Sequence, residues 1–229
     1  MKLSRLVFNA VKQAKQLPNA NEFEYSAFKQ GKYNEDPDYA LTISNIMTPI
    51  NMAIHRLSDL HKIKNKIEEL PNPNDLIIDY SNKEYANKIK NIVNVVNMND
   101  KGQWTRIGYR EFGVNKLLLT TPFFVGGNYH FYIEYREDIP NFTLEDIDYN
   151  EDNEEITTSG EHGDVELKDY GINETMCSYI TEFAVALVME TVEPSLANAH
   201  RAYAEQAFAN LDDQTTSFYQ RKVNRVHRM

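Results

Sequence analysis

The chain has 229 residues, enough for one large domain or two small ones, with a core that needs no disulfide or metal staples. A hydrophobic fraction of 41% excludes a wholly disordered chain, and a net charge of -10 argues against nucleic-acid binding over the whole surface. The single cysteine, Cys177, excludes an intramolecular disulfide and points to a reducing compartment or a fold that ignores redox; no run of about eighteen apolar residues exists to span a membrane.

The apolar start at Met1 is interrupted by Asn9, Lys12, Gln13, Lys15 and Gln16, too early for a secretory signal. Leu3, Leu6, Val7, Ala10, Val11, Ala14 and Leu17 recur at three- and four-residue spacing, which predicts a short helix ended by Pro18. Its other face carries Lys2, Arg5, Lys12 and Lys15, a solvated face or one that meets an acidic partner. Residues 19–38 are polar and irregular, yet Phe23, Tyr25, Phe28 and Tyr33 need a surface to cover, in this chain or a neighbour. The expectation is an arm lying on a neighbouring copy. A helix is predicted from Asp38 to Leu70, capped by Asp36 or Asp38, with a seam of Ile43, Ile46, Met47, Ile50, Ala53, Ile54, Leu57, Leu60, Ile63, Ile67 and Leu70. Pro49 predicts a kink or restart inside it, and Pro71 and Pro73 end it.

The period then changes. Residues 75–80, 92–96, 104–121 and 129–135 read as about four antiparallel strands with one face on the helices, and Gly126-Gly127-Asn128 as a turn. Residues 142–170 form an acidic excursion with Lys168 almost its sole cation. A second helix follows Gly171, capped by Asn173, and Pro194 kinks or restarts it before it runs on to Leu211. The last residues, 215–229, are basic. The expected fold is α+β: a bundle of long helices with an antiparallel β segment inserted between them and an extended C-terminal tail. The expected division is an N-terminal helix and arm at 1–38, a core at 39–214 with the β segment at 75–140 and the excursion at 142–170, and a tail at 215–229.

Motifs for common chemistries are absent from the sequence: no phosphate-cradling loop, dinucleotide fingerprint, nucleophile elbow or zinc-binding H-E-x-x-H. His55 and His61 lie six apart and share a helix face poorly, so no metal site is expected there. Cys177 falls in an apolar stripe and reads as a packed thiol. A calcium loop counted from Asp146 fails, with Glu151 where glycine is needed and Thr157 where glutamate is needed; loose cation binding is the alternative. No catalytic residue and no cofactor is assigned, and the expected class is a non-catalytic assembly protein, not an enzyme.

The order of elements resembles the head-to-tail connector, or tail adaptor, proteins of tailed bacteriophages. The resemblance is carried by Ile46-Met47-Thr48-Pro49-Ile50-Asn51 leading to Leu57 and Leu60, by the strand and stop from Tyr132 to Pro140, and by the helix from Tyr179 to Leu187 continuing to Leu211. It covers roughly residues 39–140 and 174–229, and departs from the family in the inserted stretch from Phe142 to Tyr170 and in the helix and arm before Asp38. The richness in Asn, Lys and Ile fits an AT-rich genome, and a ring protein of a crAss-like phage is the specific expectation.

The resemblance implies a virion protein of the neck or tail, made in the host cytoplasm and assembled into a ring, commonly of twelve copies. Its partners would be itself, the portal protein and other tail or ring proteins, with DNA passing through without specific binding and no membrane. It further implies that the C-terminal tail inserts between portal subunits. Phe218, Tyr219, Arg221, Lys222, Arg225 and Arg228 are the candidate docking residues, apolar and cationic groups interleaved in a segment with no acid after Asp213. The competing expectation is an intracellular regulatory or binding module.

Overall fold

The computed structural model describes residues 1–16, 23–99, 101–120, 129–147 and 164–211. Among the described residues the chain divides into two compact units, one from Met1–Ile63 and the stretch that begins at Pro140, up to residue 211, the other from Lys64–Ile139. The protein is α+β, with five helices and two antiparallel sheets of seven strands in total among the described residues. The expected bundle of long helices is corrected: the longest helix has 20 residues and the others have 5 to 16.

The helical unit contains α1 (Leu3–Ala14), α2 (Tyr25–Lys29), α3 (Ala40–Asp59), α4 (Glu174–Met189) and α5 (Pro194–Ala209). Helix α1 buries Leu3, Leu6, Val7, Ala10 and Val11, the stripe its spacing predicts. Helix α4 is the centre, packed on α1, α3 and α5. Asn173 caps it by accepting from the Met176 amide at 3.0 Å. The chain breaks between Met189 and Pro194, and proline at the first position of α5 restarts it. Helix α5 buries only Ala197 and Ala204, small residues that let it lie close to its neighbour.

Helix α3 tolerates Pro49 in its interior but ends at Asp59, eleven residues short of the expected Leu70. The stop is a left-handed turn at His61, whose φ is +58°. The His61 amide donates to the Ser58 carbonyl at 3.1 Å, and the Lys62 amide to the Leu57 carbonyl at 2.9 Å. This is the hydrogen-bond pair that usually forms around a C-terminal glycine. Ile67 and Leu70, which continue the helical spacing of α3, lie in a strand.

The arm is also corrected. Its aromatics lie on their own chain, not on a neighbour: Phe23 stacks on Phe8 at 4.8 Å and on Tyr39 at 5.0 Å, and Phe28 packs against both Phe8 and Phe23. The apolar area of α1 and of the start of α3 supplies the cover that their burial requires.

The second unit holds β1 (Lys66–Leu70), β2 (Ile77–Asp79), β3 (Ile89–Met98), β4 (Trp104–Ile107), β5 (Tyr109–Glu111), β6 (Lys116–Leu119) and β7 (His130–Glu137). One sheet has the order β1-β7-β3-β4, the other β2-β6-β5. Strand β7 pairs with β1 (Ile67 opposite Glu134) and with β3 (Val95 opposite Ile133). The apolar cluster is drawn from both sheets: Leu70, Val95, Ile107, Phe131, Ile133 and Tyr135 from one, and Ile78, Leu117 and Leu119 from the other. The cover expected from helices is therefore supplied in this cluster by a second sheet, as in a β-sandwich. The expected turn at residues 126–128 lies outside the described residues.

Candidate functional site

Three places in the helical unit carry polar or charged groups in a defined setting, and each is built from α1, α3, α4 or α5. The first is the N-terminus of α1. Its cap position is Lys2, which offers no side-chain cap, and its first turn holds no acid. A remote residue does the work. Asp164 accepts from the Ser4 amide at 2.8 Å and from the Ser4 hydroxyl, which also shares a 2.5 Å hydrogen bond with the Tyr25 hydroxyl. Ser4 is 0% exposed and Asp164 7%. A buried carboxylate is stable there because the amides and positive dipole end of the helix face it. The Leu3 amide bonds to the Val165 carbonyl at 2.8 Å and the Leu167 amide to the Met1 carbonyl at 3.1 Å, so the chain leaving the acidic excursion is tied to the start of α1.

The exposed face of α1 is cationic. Lys2, Arg5 and Lys15 are exposed and Lys12 is half-buried, and the helix contains no acid. Arg5 lies over the rings of Tyr25 at 4.7 Å and Phe8 at 5.4 Å. None of the four cations has a carboxylate within ion-pair distance among the described residues.

Beside that face runs a groove of about 430 Å³ between α1 and α4. Asn9, Lys12, Gln13 and Gln16 form one wall, and Ser178, Thr181 and Glu182 the other, with Cys177 below. Cys177 is 1% exposed, and burial pushes its thiol up to about 11, so it is a packed group and not a nucleophile. Glu182 is held by His200 Nδ1 at 2.6 Å, and Gln16 donates to Glu193 at 2.5 Å. Among the described residues no three His, Cys, Asp or Glu side chains converge as metal ligands would.

The third place is the C-terminal end of α5, whose last turn has no cation of its own. Lys62, just beyond the left-handed turn that ends α3, donates to the Leu211 carbonyl at 2.9 Å and lies 5.0 Å from the centre of the Phe208 ring. Arg56 covers Phe208 and Phe183 at 5.4 and 5.6 Å and pairs with Glu205 at 3.5 Å. Arg56 of α3 and Lys62 just beyond it thus clamp the end of α5, through the helix dipole and the aromatic face together. Nearby on α3, Asn51 exchanges two hydrogen bonds with the Phe142 backbone, at 2.8 and 2.9 Å. That side chain pins the chain as it re-enters the helical unit, a role its place in the helix did not reveal.

The candidate docking residues Phe218, Tyr219, Arg221, Lys222, Arg225 and Arg228 lie outside the described residues; the structure describes their root, Leu211, and the clamp on it. Residues 148–163 of the acidic excursion are likewise outside, while Phe142–Ile147 and Asp164–Tyr170 border α1 and α3. His55 bonds to Asn141 at 2.8 Å, and His61 occupies the left-handed turn. The Asp164 cap was missed by sequence reading because Asp164 is 160 residues from Ser4 and looked like one more acid in a solvated run. No protein-family model matches the chain, and no curated protein matches it. Among the described residues no helix is long and apolar enough to cross a membrane.

Proposed function

We propose that this chain is a structural virion protein of the head-to-tail connector kind, which forms a ring between a phage portal and the tail and encloses the path of the DNA. The observation that carries this reading is the arrangement of the helical unit. A β unit is inserted between α3 and α4, and the last helix ends in a clamped root from which a basic segment departs. A tail with a fixed root and interleaved apolar and cationic groups is suited to docking in an acidic groove, with charge setting the encounter and apolar burial supplying most of the holding energy. A net charge of -10 would keep a DNA channel from binding its cargo. Copies would associate head to tail and close into a ring with the portal above and other tail proteins below.

The test is attachment. Full-length chain mixed with its cognate portal rings is expected to co-sediment with them, and the chain lacking residues 215–229 is expected to remain folded and stay behind. Equal attachment of both at matched salt would reject the docking role of the tail. A chain that never attaches would favour a small regulatory or binding module.

A further inference from the structure

Helices α3 and α5 each turn an uncharged stripe outward. Residues 39–55 contain no Asp, Glu, Lys or Arg, in a chain of which 25% is charged. Within that stretch Leu41, Asn45, Thr48 and Met52 recur at four- and three-residue spacing, and all four are exposed, Leu41 by 70% and Met52 by 51%. They lie opposite the buried face of α3, which holds Ile43, Ile46, Ile50 and Leu57. On α5 the stripe opposite the buried Ala197 and Ala204 is Ser195, Ala199, Ala202, Gln206 and Ala209, again exposed and again uncharged. A surface helix ordinarily carries its charges on that side. Arg201 and Glu205 of α5 instead lie to one flank, where they pair with Glu190 at 3.0 Å and Arg56 at 3.5 Å. We propose that the α3 stripe of one copy packs lengthwise on the α5 stripe of the next. The inference rests on the ring reading and names the helices that would hold neighbouring copies together.

Charge and shape both favour a second copy of this chain as the occupant. Copies of net charge -10 repel, and they approach at least cost through surfaces that carry no charge. Depletion of charge also marks the core of a protein interface. Leu41 and Met52 project from α3, while the alanines of α5 leave room for a second helix to come close. Asn45, Thr48, Ser195 and Gln206 bring hydrogen-bond donors and acceptors to the two sides. Both stripes follow the spacing by which two helices mesh along a seam. They sit on different helices, each packed on α4, so a pair of copies leaves one stripe of each kind free. Such a contact repeats head to tail until it closes. The α3 stripe is about 16 Å long at 1.5 Å per residue, and one helix on one helix covers far less than the roughly 800 Å² per partner of a stable pair. A closed ring, in which each copy holds two neighbours, is therefore favoured over a dimer.

Introduced charges test it by mass photometry of the full-length protein. One variant carries Thr48→Lys and the other Ala202→Glu, each at an exposed position in the middle of its stripe; circular dichroism checks that the fold is unchanged. Wild type is expected to form large oligomers at about 50 mM salt and to keep them near 500 mM, since the contact has no charges to screen. Each variant alone is expected to need at least about tenfold more protein to assemble, because its contact buries an unpaired charge. An equimolar mixture is expected to assemble as wild type does. Lysine then meets glutamate at one contact and native stripes meet at the next, a repair that mixing cannot make within one copy. Wild-type rings with either variant assembling normally alone, or with no rescue on mixing, would overturn the proposal and leave the ring reading standing. Wild-type rings lost near 500 mM salt would assign the contact to charged groups and also overturn it. A monomeric wild type would overturn both.

Discussion

Replacing Asp164 with alanine tests whether a residue from the far end of an acidic stretch holds the first helix. In the native fold its carboxylate serves the buried Ser4 amide and hydroxyl, at the positive end of α1. Removing it leaves a buried N–H without an acceptor, which costs about 1–3 kcal/mol. The lost interaction of a carboxylate with the helix end adds about 0.3–1 kcal/mol. The Ser4 hydroxyl keeps Tyr25 as a partner, so it adds little. The expected destabilisation is about 1–4 kcal/mol, or roughly 3–16 °C in Tm for a chain of this size. The assay is urea unfolding followed by far-ultraviolet circular dichroism, whose helical signal reports on the helical unit because the five α-helices of the described residues lie there. Asp164→Asn keeps one oxygen for the Ser4 amide and should lose only about 1 kcal/mol. A loss below about 0.5 kcal/mol for the alanine variant would refute the remote cap.

Three further outcomes follow from other contacts. Lys62→Met removes the donor to the Leu211 carbonyl and should speed hydrogen exchange of the Asn210 and Leu211 amides at least several-fold, with recovery in Lys62→Arg; unchanged exchange would remove the clamp. Cys177, with its thiol raised to about 11, should resist thiol reagents at pH 8 in the folded protein and react fully in urea, and rapid native labelling would contradict its burial. Asp79 is lowered to about 2, first by the Ser81 hydroxyl and then by Lys116 at 2.9 Å. Its ionised form is favoured above the ordinary carboxylate range, and its contribution fades as pH falls toward 2. A nuclear magnetic resonance titration should show a larger upward shift of this group in Ser81→Ala than in Lys116→Met; the reverse order would misassign the cause.

The sequence was most informative where local physics decides. The stripe of α1, the Asn173 cap and the break at Pro194 each follow from spacing, a side-chain acceptor or a missing amide hydrogen. It misled where a distant partner overrides local preference. Ile63, Ile67 and Leu70 continue the helical period of α3, yet Lys66–Leu70 pairs with Tyr135–Phe131, and a histidine takes the left-handed turn where glycine is the usual signal. The arm aromatics announced their need for cover, but not that Phe8 and Tyr39 would provide it. Likewise Asp164 read as one more acid of the excursion, and nothing local marks Lys62, because their partners, a helix start and a helix end, exist only in the folded chain.

The central claim is that copies of this chain close into a ring, and the most direct measurement is the particle size of the purified full-length protein at low salt. Mass photometry should show one dominant species near twelve chain masses, with class averages from electron microscopy showing an open centre. A single peak at the mass of one or two chains across the accessible concentration range would contradict the account.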